Sequence, residues 1–65
     1  MRSANAGKLV VVIDDDATVR RATESLLRSR GFQVVAADSY SEAMDRLREL
    51  GRRADLVVGG AITEP

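Results

Sequence analysis

Three consecutive aspartates, Asp14 to Asp16, stand directly behind an unbroken apolar run, Leu9 to Ile13, in the stretch "LVVVIDDDATVRR". Carboxylates gathered at one point suit a hard divalent cation such as Mg²⁺, which takes one or two carboxylates and keeps several of its waters. They also suit a helix start, where Asp15 or Asp16 can accept the free N–H groups of the first turn and the others complement the helix dipole. For a lone aspartate, capping is the better reading. An adjacent acid pair directly behind an apolar strand tips the balance toward the cation. Phosphate is the wrong ligand for such a place. Three carboxylates repel it, and neither G-x-G-x-x-G nor a P-loop occurs in the chain.

The elements that must position these acids follow from the periodicity. Leu9 to Ile13 is apolar at every position, the pattern of a strand covered on both faces in a parallel sheet. A helix follows from about Ala17 to Arg30, with Val19, Ala22, Thr23, Leu26 and Leu27 as its apolar stripe, Arg28 and Arg30 in its last turn and Gly31 as its C′ residue. Phe32 to Ala36 reads as a second strand. Ser39 and Glu42 are spaced as a capping box, opening a helix over Tyr40 to Leu50 that puts Ala43, Met44, Leu47 and Leu50 on one side and closes at Gly51. Leu56 to Val58 is a third strand. The order is β-α-β-α-β with short connections, and right-handed crossovers make the sheet parallel. The acids then lie at the carboxyl end of the first strand, where open α/β sheets place their ligands. Met1 to Gly7 reads as a flexible tail, and residues 8–65 as one small domain.

Composition bounds the rest. The 65 residues carry ten basic and ten acidic side chains, no histidine and no cysteine. Disulfides and structural zinc are therefore excluded, and the balanced charge argues against a nucleic-acid footprint. The arginines alternate with acids along two helices, the pattern of a solvated face. The longest apolar run is too short to span a membrane, and no signal-peptide h-region opens the chain, so a cytoplasmic protein without membrane association is expected. A chain of this size buries only about 60% of the surface its unfolded form exposes. Ordering costs of roughly 1.5 kcal/mol per residue nearly cancel the gain.

The stretch from "VVVIDDDATVRRATESLLRSRGF" through "DLVVGG" resembles the first half of a response-regulator receiver domain of two-component signalling, over about Lys8 to Gly60. The acid pair after β1, the basic first helix, "GF.VV.A.S..EA" and "DLVV" arrive in the family's order. The resemblance implies a flavodoxin-like half-fold with strand order 2-1-3, and Asp14 and Asp15 as the Mg²⁺ ligands. It also implies docking of a histidine kinase or phosphotransfer protein through the first helix. The departures bear on activity. The family's count from Asp55 to the phospho-accepting aspartate lands on Gly60, and the count back from Pro65 lands on Ala61. Neither side chain can accept a phosphoryl group or ligate a metal, and Glu64 falls in the loop beyond. With the later strands and helices of the family also missing, the expected protein is no enzyme and has no catalytic residue. Its Mg²⁺ site is weak, and two acids with a backbone carbonyl near Ile62 make up all of it.

In the order 2-1-3 the third strand is an edge, so Leu56 to Val58 would offer unpaired backbone to a second copy or to a partner. Three readings follow. One is a signalling module that binds without accepting phosphate. The second is a structural or oligomerisation element. The third is a non-functional fragment of a longer response regulator or hybrid kinase.

Overall fold

The computed structural model describes residues 7–59. The tail expected over Met1 to Gly7 lies outside them except for its last residue. The order is β1 (Leu9–Ile13), α1 (Ala17–Ser29), β2 (Gln33–Ala37), α2 (Tyr40–Leu50) and β3 (Leu56–Gly59). The three strands form one parallel sheet in the order β2-β1-β3, half of a flavodoxin-like sheet. Val10 to Ile13 are each paired on both sides, Val11 with Val35 on one side and Val57 on the other.

The unbroken apolar run behaves as its pattern requires: all five residues of β1 are buried. Leu9, Val11 and Ile13 join Val35, Ala37, Ala43 and Leu47 beneath α2. Val10 and Val12 join Val34 on the opposite face, with Leu27, Phe32 and Val58 packed against them. Burying a side chain of this kind stabilises by about 1.5–3 kcal/mol, so the central strand carries much of the core. Val11, which the spacing along α1 predicts beside Leu26 at the β1–α1 contact, therefore belongs to the α2 side.

Both helices end by one device. Phe32 N–H donates to the Leu27 carbonyl and Gly31 N–H to that of Arg28, while Gly31 adopts φ 93°. Arg52 N–H and Gly51 N–H repeat the pattern on Leu47 and Arg48, with Gly51 at φ 66°. Each is a Schellman closure, and the left-handed residue explains the glycine in both places. Ser39 Oγ accepts from Glu42 N–H at 3.1 Å, as a capping box requires. The return bond reaches one residue farther than expected, from Asp38 N–H to Glu42 Oε1 at 2.9 Å. β2 begins and ends one residue later than the apolar pattern placed it, because Phe32 completes the closure of α1. β3 runs on to Gly59.

The apolar stripe of α1 is the main departure. No residue of this helix is buried, and Leu26 is 52% exposed. Leu27, a neighbour in sequence but turned toward the sheet, makes the contact instead. Leu50, expected on the inner side of α2, is also exposed. In addition, no α-carbon of either helix lies within 8 Å of one in β3. The helices cover β1 and β2, and the third strand stands outside that cover.

Candidate cation site at the carboxyl end of the first strand

The three aspartates are adjacent in sequence and unlike in structure. Asp14 is only 4% exposed. Its N–H continues the ladder onto the Ala37 carbonyl, and its Oδ1 accepts from Asp16 N–H at 2.9 Å, an Asx turn that bends the chain out of the sheet. Asp16 is the N-cap, with Oδ1 accepting from Thr18 N–H at 2.9 Å and Val19 N–H at 3.2 Å. Asp15 is exposed and makes no hydrogen bond within the described residues. The capping and cation readings thus divide among the three. Asp16 is the cap, while the pair Asp14–Asp15 keeps three carboxylate oxygens without a hydrogen bond at the strand end.

Spacing along α1 predicts Arg20 facing solvent, yet the half-buried side chain belongs to this place. Its guanidinium donates to the Asp14 carbonyl at 2.7 Å, setting a fixed positive charge beside the acids. An arginine one turn into the helix that the acids open was the available signal. Asp55, noted only for its position before "LVV", holds the opposite end of the sheet. Its N–H donates to the Leu9 carbonyl at 2.8 Å, and its Oδ2 accepts from Leu9 N–H at 2.7 Å. That double clasp sets the register of β3 against β1.

As a metal centre the arrangement is a pair. Among the described residues no group of three acidic or other ligating side chains converges. Mg²⁺ demands near-octahedral geometry and can live on one or two carboxylates with water. Asp14 and Asp15 fit that minimum, while Arg20 opposes a further cation. The positions expected to matter at the end of β3, Gly60, Ala61 and Ile62, and the loop residue Glu64, lie outside the described residues. No protein-family model, curated protein or solved structure matches this chain. No helix of the described residues is long and apolar enough to cross a membrane.

Proposed function

We propose that the chain is a receiver-like module of two-component signalling that works by protein–protein contact and does not accept phosphate. The observation that carries this reading is the acid pair Asp14–Asp15 at the carboxyl end of the central strand, opening directly into α1. That is where the resembled family keeps its Mg²⁺ ligands. Gly60 and Ala61 supply no carboxylate at the acceptor position, so nucleophilic chemistry of the aspartyl-phosphate kind has no nucleophile.

Docking falls to α1. Val19, Ala22 and Leu26 form an apolar flank that this chain leaves exposed. Such a stripe fits the helical surface of a histidine kinase or phosphotransfer protein. Mg²⁺ binds weakly, through Asp14 and Asp15. Incubation with acetyl phosphate and Mg²⁺, followed by intact mass measurement, is expected to show no adduct. A stoichiometric labile phosphoryl group would refute the reading. Binding to a phosphotransfer domain should be lost in Leu26→Glu, whose site is exposed and leaves the fold intact.

A second reading, self-association, rests on β3. Leu56 and Val57 are each more than half exposed, and the outer edge of the strand is unpaired among the described residues. Light scattering across a dilution series separates the two.

A further inference from the structure

The opposite edge of the sheet, along β2, has chemistry of its own. Gln33 N–H donates to the Lys8 carbonyl and the Ala37 carbonyl accepts from Asp14 N–H. The main-chain groups of residues 33, 35 and 37 therefore point at β1, and those of Val34 and Ala36 point outward. The Val34 carbonyl takes a 3.2 Å bond from Arg28 Nη2. The N–H groups of Val34 and Ala36 and the Ala36 carbonyl have no partner among the described residues.

This edge is the floor of a groove of about 730 Å³ between the two helices. Its walls carry Arg20, Arg21 and Arg28 from α1 and Arg46 from α2, against only Glu24 and Glu49. Glu24 is already bound to Arg28 at 2.8 Å. The Arg21 side chain makes no hydrogen bond or ion pair among the described residues, and Arg46 reaches Glu42 only at 3.4 Å. Exposed Leu50 adds an apolar surface on the α2 wall.

We infer that the β2 edge binds an extended acidic segment of a partner protein, added to the sheet as a further strand. Outward N–H groups supply the main-chain pairing, and alternation along the added strand supplies the specificity. Alternate side chains point to opposite faces, so carboxylates meet the α1 arginines while the intervening apolar side chains lie over Leu50 on the α2 wall. A second copy of this chain fits poorly, because its own edge would bring a matching set of arginines against these. The inference uses neither the acid pair nor the apolar flank of α1, and stands apart from the receiver-like reading.

The test uses a fluorescein-labelled peptide alternating glutamate and valine, long enough to span the five residues of β2. Fluorescence anisotropy should show saturable binding, and amide exchange at Val34 and Ala36 should slow when the peptide is added. Arg21→Glu, at an exposed site on the α1 wall, should weaken binding about tenfold or more. Circular dichroism of that variant checks that the fold is kept. A peptide with lysine in place of glutamate should not bind, and a central proline, which removes a strand donor, should abolish protection. Absence of binding at about 1 mM peptide, equal binding of the lysine peptide, or binding without protection of Val34 and Ala36 would overturn the inference. So would protection of these amides by self-association without peptide.

Discussion

At the scale of single residues, three identical side chains in a row occupy three different energetic situations. Asp14 is buried and holds Asp16 N–H, so Asp14→Ala should cost about 1–2 kcal/mol through the lost bond and the unsatisfied group. Asp16→Ala removes the cap of α1 and should cost about 1 kcal/mol. Asp15→Ala touches nothing and should stay within about 0.5 kcal/mol of the parent. Urea unfolding of the three variants measures the order directly. Mg²⁺ draws on a different pair, Asp14 with Asp15. Any binding seen by calorimetric titration should be weak and should vanish in the Asp14→Ala, Asp15→Ala double variant. Tight binding that survives both substitutions would remove this pair from the site.

At the scale of elements, the helices differ in how firmly they are held. Leu47 lies in the α2 core with Val11 and Val35, so Leu47→Ala should cost about 2–5 kcal/mol. The same change at Leu26, half in water, should cost under about 0.5 kcal/mol. Thermal melts of the two variants are the check, and equal losses would mean that α1 packs through a different face. The start of α2 gives a pH signature. The Asp38 N–H held on the Glu42 carboxylate, with Arg46 beside it, lowers that group below its ordinary 4.5. A depressed folded-state value means stabilisation that is complete above about pH 4.5 and fades as pH falls through the lower folded value. Glu42→Gln should therefore be less stable than the parent at neutral pH. The gap should close on acidification below pH 4.5, as followed by denaturant unfolding at several pH values. The exposed pairs Arg46–Glu42 and Arg48–Asp45 add little to α2.

At the scale of the whole molecule, the sheet has two edges of opposite character. β2 is walled by both helices and lined with arginine, whereas β3 is apolar and has no α-carbon within 8 Å of one in either helix. An open apolar strand on so small a core is a template for pairing. If copies pair through β3, melting temperature should rise with protein concentration. Val57→Lys should abolish that dependence, because a charge on an edge strand blocks pairing. Melting that is independent of dilution in the parent would exclude self-association at this edge.

Much of this architecture is a direct consequence of the sequence. Leu9 to Ile13, short, rich in β-branched residues and apolar at every position, has the pattern of a covered strand of a parallel sheet. Ser39 and Gly51 bound α2 because one offers a cap oxygen and the other tolerates a left-handed backbone. What sequence periodicity cannot state is what lies opposite an apolar stripe. Leu26 and Leu27 are equivalent by type, and only the direction in which α1 leaves the Asx turn at Asp14 decides that Leu27 meets the sheet. Likewise, Asp14, Asp15 and Asp16 are one motif in sequence. The tertiary structure separates them, because a carboxylate's role depends on which backbone donors the turn aims at it. The two edges were equally open in the strand order. Their difference arises from where the helices sit, which places arginines beside β2 and leaves β3 bare.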